Sequence, residues 1–440
     1  MRQHNLFRVY LDKVCEQIRW KKAHSVVCRE LGDHLEDEQA TLVESGFAED
    51  EAANQAVLDM GDAALVGSQL DRAYRPRPAW GIIAVTAVLM ILGYFARLYI
   101  IQHAHSLYVV DITRSLFWLC AAIIVMVVGY FLDYTILGKH PIIICTGFAI
   151  ALILLPFVYE LMTYSLHYYA IYGMILIPII YAGVLWWWPY QGYGGLIGSY
   201  LSLWILVIVG LVFRGSISIF VYGGVGGLML TAELIKGRFK VRKSCGLLIL
   251  YCPVVLMFIW LWEAVSKRLL YILQPEIDPT GYGFQATQIR QVLESARWIG
   301  QGNHTTDYIP DLVNSNMLTF FIHQFGWISL VLVLLLFGAL LAFSATLAIK
   351  QKSRLGRMVS MAILLSLAVE GGIYIANNLG FVTFGFPVLP LLSYGNAALL
   401  IDSFLIGLML SVFRNDDIVR DPIIAPKKIP RIKITMERLP

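Results

Sequence analysis

The sequence predicts an all-α integral membrane protein of about ten transmembrane helices, preceded by a small soluble α-helical domain. Three observations carry that expectation. Of the 440 residues, 58% are hydrophobic and only 15% charged, against roughly 25% charged in soluble globular chains. The apolar residues come in uninterrupted blocks of about 18 to 25, which at 1.5 Å per residue cross a ~30 Å hydrocarbon core. They do not alternate as the strands of a membrane β-barrel must. Residues 1–76 are the exception, because they are dense in Asp, Glu, Lys and Arg and hold no run long enough to span. No secretory signal is expected, since its apolar core would sit near the N-terminus.

The opening segment reads as three or four short helices. Leu31, Leu35 and Leu42 recur on one helical face, and Val57 with Met60 does the same further on. Gly46 and Gly61 punctuate them. Gly61 followed by Asp62 has the form of a C-cap glycine and then an N-cap for a last helix running to Tyr74. Arg75-Pro76-Arg77-Pro78 is the linker that ends this 1–76 domain.

Ten spans are expected to follow within a membrane domain of residues 80–414. Their ranges are 80–101, 115–132, 141–160, 167–188, 193–213, 215–235, 245–263, 317–349, 358–378 and 396–413, with span eight broken near Gly326. Residues 415–440 form a basic tail. Orientation comes from cations: Lys236, Arg238, Lys240, Arg242 and Lys243 follow span six, and Lys350, Lys352, Arg354 and Arg357 follow span eight. Arg414, Arg420, Lys427, Lys428, Arg431 and Lys433 follow span ten. All fall on one side, which the positive-inside bias makes cytoplasmic, and an even span count then places both termini there. The outer face is left with a long connection, residues 264–316, and a Pro/Gly-rich segment, residues 379–395. Loops near 50 residues are uncommon and usually functional.

The six cysteines, at 15, 28, 120, 145, 245 and 252, have no CxxC spacing, so neither a disulfide nor a metal site is expected. His103 and His105, two apart in an outer loop, are likewise weak grounds for metal. The sequence points to no cofactor, and a net charge of +4 gives no reason to expect a nucleic-acid partner. Glu370 and Asp402 fall at membrane depth, where ionisable groups imply a cavity, a partner, or a helix contact. The pairs Gly194/Gly198 and Gly223/Gly227 read as helix-packing positions.

The run from Asn378 to Asn396 is hydrophobic yet contains Pro387, Pro390 and three internal glycines before Asn396. It cannot be a regular helix, and its backbone polar groups need protein or a wet cavity. It is either a tight outer turn or a re-entrant segment lining a substrate path. The stretch Val382-Thr-Phe-Gly385-Phe-Pro387-Val-Leu-Pro390-Leu-Leu-Ser393-Tyr394-Gly395, with a helix ending Leu410-Ser411-Val412-Phe413-Arg414, resembles the C-terminal signature of the SEDS family, the shape, elongation, division and sporulation proteins. That signature reads VTGIPLPFISYGGSS before a last helix ending LLSVxR, and Asn396 replaces its second glycine. The opening segment is similar to the helical prefix domain found before various bacterial membrane proteins.

The resemblance implies ten spans, a bacterial plasma-membrane location and a peptidoglycan glycosyltransferase that polymerises the polyprenyl-linked glycan lipid II. It implies substrate contacts at Pro387, Pro390, Ser393, Tyr394 and Asn396, and a transpeptidase (penicillin-binding protein) partner. It also implies an essential carboxylate in a stretch like LPEAHTDFIFAxxGEELG at the end of the outer loop. Aligning Pro310 and Gly326 without gaps puts Ser315 at that acid, and His323 and Gln324 at the paired glutamates. A serine hydroxyl cannot accept the attacking sugar's proton unaided at neutral pH. Asp307 and Asp311 lie within two helical turns as substitutes, or are simply solvated acids. The family's QPDLG-like acid is missing too, at Gln191-Gly-Tyr-Gly-Gly-Leu196. Three classes follow: a lipid II glycosyltransferase, a non-catalytic relative that binds or regulates, and a transporter or flippase of a lipid-linked precursor. Residues 1–76 are expected to dock a cytoplasmic protein.

Overall fold

The computed structural model describes residues 2–76, 78–103, 112–161, 172–188, 191–211, 216–303, 315–382, 388–393 and 395–416. Among them no strand occurs. The chain divides into two compact units: Met1–Pro78 with the end of the last helix from Phe413, and Ala79–Val412.

The N-terminal unit holds α1 (Arg2–Gln17), α2 (Lys21–Glu44), α3 (Glu49–Met60) and α4 (Ala63–Tyr74). Their apolar stripes meet in one core of Phe7, Tyr10, Val14, Ile18, Val27, Leu35, Ala53 and Ala56. Gly61, at φ 86°, ends α3, and the Asp62 carboxylate caps α4 by accepting from the Leu65 amide at 3.1 Å. At Gly67 a Cβ would lie 2.7 Å from the Val14 carbonyl oxygen, so α1 and α4 approach only because glycine stands there.

Beyond α1, Arg19 grips Asp71 of α4. The Arg19 amide, Nε and guanidinium terminus reach its carboxylate at 2.9, 3.0 and 2.7 Å. That contact, chiefly the side-chain hydrogen bond, holds the Asp71 carboxyl below its ordinary value of 3.8. A carboxyl lowered in the folded state contributes stability that is full above its unfolded pKa and lost as pH falls through the folded one. Amides of α1 and α4 are therefore expected to lose exchange protection as pH drops below about 4. Asp71→Asn should flatten that part of the dependence, read by hydrogen exchange on the full chain in detergent.

The second unit is a helical bundle of membrane-spanning type. Its first half comprises α5 (Trp80–His103), α6 (Ile112–Phe131), the short α7 (Ile136–Lys139), α8 (Pro141–Leu161), α9 (Ile177–Trp187) and α10 (Gly192–Leu211). Its second half comprises α11 (Ser216–Ile235), α12 (Lys243–Trp260), α13 (Trp262–Leu273), α14 (Phe284–Glu294), α15 (Met317–Phe325), α16 (Ile328–Lys350), α17 (Arg354–Asn378) and α18 (Asn396–Arg414). Six helices are long and apolar enough to cross a membrane, and four shorter apolar ones join them among the described residues. Lipid offers little hydrophobic drive between helices, so close packing at small residues has to hold them together. The helix α9 is apolar all round and buried along Ile177–Leu185, packed on α17 and α11. A Cβ at Gly183 would meet the Leu137 carbonyl oxygen at 2.4 Å, and one at Gly407 the Met126 oxygen at 2.1 Å. Three cations counted in the basic loops, Lys236, Arg238 and Arg354, converge on the buried Glu233.

Span eight is broken where the sequence predicts. Gly326 takes φ 96°, which a side chain rarely adopts. The chain at residues 297–302 runs alongside the break, with Gly300 N donating to Phe325 O at 2.9 Å, Gly302 N to His323 O at 2.8 Å and Trp327 N to Arg297 O at 3.0 Å. A Cβ at Gly326 would lie 2.5 Å from the Trp298 oxygen, so the break and the loop over it are one built feature.

Candidate functional site

The end of the long connection before α15 is fastened to the end of α17 by one amide. Asn378 is fully buried. Its Oδ1 accepts from the Thr319 amide at 2.9 Å and the Thr319 hydroxyl at 3.0 Å, and its Nδ2 donates to the Ser315 carbonyl at 2.8 Å and the Tyr374 carbonyl at 3.0 Å. Both carbonyl lone pairs and both N–H donors are engaged, so a flipped amide would set donor against donor. The Tyr374 hydroxyl accepts from the Leu318 amide at 3.1 Å, and Gln285 of α14 donates to Asn316 Oδ1 at 3.2 Å. Ser315, which the resemblance aligns with an essential acid, thus stands two residues before α15 with its backbone carbonyl held and only 5% of its surface exposed.

Arg290 of α14 ties the remainder of the loop down. Its guanidinium donates to the Gly380 carbonyl at 3.2 Å and the Ile272 carbonyl at 3.2 Å, pairs with Glu276 at 3.8 Å, and lies 5.5 Å from the Phe381 ring centroid. Neither Asn378 nor Arg290 stands out in the sequence, since a single Asn at a helix end and a single Arg in a polar loop are common. Their signal lies in sequence separations of 59 to 90 residues that only the fold closes.

The two residues that the resemblance aligns with paired glutamates are also built into the packing. Gln324 donates to the Tyr99 hydroxyl at 3.1 Å, and Tyr99 stacks on His103 with centroids 4.0 Å apart. His323 is 2% exposed, and a Cβ on Gly302 would meet its ring at 2.8 Å. Asp307 and Asp311 lie outside the described residues, as do His105, Pro387 and Tyr394.

The described part of the Pro-rich segment is a buried turn. The Ser393 hydroxyl accepts from the Leu389 amide at 2.6 Å, while the Ser393 amide donates to the Leu389 carbonyl at 3.1 Å. Pro390 forms the bend, and Leu391 is held at φ 66°, a conformation costing a non-glycine residue of order 1–3 kcal/mol that surrounding packing must offset. A Cβ on Gly93 of α5 would sit 2.3 Å from the Leu392 carbonyl oxygen. Gly93 and Tyr99 are six residues apart, about 9 Å along the helix, so α5 spaces this turn from the Gln324 end of α15. Asn396 opens α18 with its side-chain carbonyl oxygen buried and unpartnered.

Deeper in the bundle the fold brings Glu370 of α17 and Asp402 of α18 into electrostatic contact, with Tyr222 of α11 in reach of both. Asp402 is fully buried, and although the Leu391 amide lies toward it, neither of its oxygens makes a full hydrogen bond.

Compared with known proteins, residues 193–418 match the FtsW/RodA/SpoVE family of cell cycle proteins. A protein of Trichlorobacter lovleyi named "Probable peptidoglycan glycosyltransferase FtsW" is 29% identical over 154 residues, which cover 33% of this chain and 39% of that one. The Escherichia coli K12 "Peptidoglycan glycosyltransferase MrdB" is 26% identical over 167 residues, 36% of this chain and 44% of its own. The chain therefore spans about two fifths of the length of these curated relatives. Among solved structures, a chain of a peptidoglycan synthase complex that coordinates polymerization and crosslinking is similar with a TM-score of 0.54. At 21% identity, covering 78% of this chain and 98% of that one, the likeness is one of fold.

Proposed function

The chain belongs to the FtsW/RodA/SpoVE family of cell cycle proteins, and from that premise we propose that it handles a polyprenyl-linked peptidoglycan precursor, lipid II, at the outer end of its bundle. It is a bacterial multi-pass membrane protein. The observation that carries the proposal is the fastening of the Ser315 segment to α17 through Asn378, beside the Arg290–Gly380 contact that begins the Pro-rich segment. Pinning both segments to one helix end is what a site needs in order to hold its chemistry rigidly. Pro390, Ser393 and Asn396 serve by shaping the backbone there, with the Asn396 oxygen as the free acceptor for substrate.

A second reading, a relative that binds the precursor or regulates an enzyme without turning it over, is favoured by Ser315 itself. Both readings are tested by reconstituting the purified chain in liposomes with lipid II, alone and with a transpeptidase partner. Lipid II is expected to bind in preference to bilayer phospholipid, and glycan chains on a gel separate the glycosyltransferase from the non-catalytic relative. Equal retention of lipid II and phospholipid would remove both.

The basic loops support cytoplasmic termini and a cytoplasmic docking role for residues 1–76. A reporter fused after Lys240 or Arg414 should read inside, and one inserted near Asn303 outside. An inside signal at Asn303 would overturn the orientation.

A further inference from the structure

We propose that Cys15 and Cys28 form a reversible disulfide that closes a ring around the turn between α1 and α2. Their spacing of 13 residues gives no hint of pairing in the sequence, and in the fold both are free thiols. The turn at residues 18–20 doubles the chain back so that Cys15 Sγ and Cys28 Sγ stand 2.7 Å apart. The turn is already held: His24 Nε2 lies 2.8 Å from the Ile18 carbonyl oxygen, and the Cys15 thiol donates to the His24 carbonyl at 3.9 Å. Two sulfurs inside van der Waals contact, on elements positioned by other bonds, need only a small movement to reach disulfide geometry.

The two thiols differ in a way that sets the order of events. Cys15 is 7% exposed and remains a thiol, its pKa pushed up to about 12 by burial first and by the Cys28 sulfur second. Cys28 is the less buried of the two. With a small disulfide such as oxidised glutathione as oxidant, the Cys28 thiolate attacks one glutathione sulfur and the first glutathione thiolate leaves. The Cys15 sulfur, losing its proton to water, then attacks Cys28 Sγ and expels the second glutathione. Two cysteine thiols are oxidised, one glutathione disulfide is reduced to two thiols, and two protons are accounted for on those products. In a reducing cytoplasm the pair stays open, and closure reports an oxidising shift. The burial of Cys15 and the Arg19–Asp71 grip just beyond it place the ring where it stiffens the α1–α2 corner against α4.

The test uses the full chain in detergent, equilibrated in glutathione buffers from reducing to oxidising, alkylated and digested with trypsin. The expected product is a linked pair of the peptides 14–19 and 23–29, two mass units lighter than the sum of the free thiols. It should be absent in Cys28→Ser and reversed by dithiothreitol, while Cys120, Cys145, Cys245 and Cys252 stay alkylatable. Exchange of the amides of residues 15–28 should slow at least several-fold on oxidation. Full alkylation of both peptides in the oxidising buffer would overturn the proposal. So would a linked pair no more abundant than random pairings among all six cysteines.

Discussion

Asn378→Ala is expected to lower the stability of the membrane unit more than any other single polar truncation near the start of α15. The native side chain makes bonds to the Thr319 amide and hydroxyl and to the Ser315 and Tyr374 carbonyls, all buried. Alanine takes the Asn378 acceptor from the Thr319 amide and the Asn378 donor from the Ser315 carbonyl, both in a buried site. A buried donor that loses its acceptor costs about 1–3 kcal/mol, so the loss should be at least of that order before any contribution from the cavity. Asn378→Asp is no remedy, because a carboxylate has no N–H for Ser315 and brings a charge into the same dry site. Thr319→Val is the graded control: it removes the hydroxyl but keeps the amide that Asn378 Oδ1 accepts, and should cost about 1 kcal/mol. Melting of the detergent-solubilised chain, followed by size-exclusion fluorescence, ranks the three. A midpoint for Asn378→Ala equal to that of the native chain would show that the loop is held elsewhere.

The bundle was legible because a membrane span is written in composition: about twenty apolar residues, a few basic residues at one end, a broken stretch where Pro and Gly collect. The predicted boundaries 80–101 and 141–160 fall within a few residues of Trp80–His103 and Pro141–Leu161, and Gly326 marks the break in span eight. The polar contacts that shape the site were not legible. Asn378, Arg290 and Glu233 act through partners 59 to 121 residues away, and a single sequence carries no record of such pairs. The Cys15–Cys28 approach is hidden in the sequence for the same reason at short range. Thirteen residues is an unremarkable spacing until the turn at residues 18–20 is known. Ser393, read as a substrate contact from its motif, lies in the fold as the hydroxyl that closes the Leu389 turn, a role no spacing announces.

Ser315→Asp is expected to raise lipid II polymerisation by roughly the 10²–10⁴-fold that a placed general base contributes. The residue is held by its own backbone carbonyl, bonded to Asn378 at 2.8 Å, so changing the side chain leaves that anchor in place and the new carboxylate starts from the native Cα position. Its surroundings are dry, with Ser315 only 5% exposed, and burial raises a carboxyl toward the pKa range in which it accepts a proton at neutral pH. The gain follows if the native chain has kept the groove and lost only the base. In that case Asp307→Asn and Asp311→Asn should leave the native chain's slow rate unchanged. A native chain that already polymerises briskly has instead recruited one of those acids, and neutralising it should lower turnover by a similar 10²–10⁴-fold. The two patterns exclude each other, so rates of the native chain, the three single variants and the double Asp307→Asn/Asp311→Asn variant decide between them. Undiminished polymerisation by the double variant, with no gain in Ser315→Asp, would place the proton acceptor outside this loop altogether.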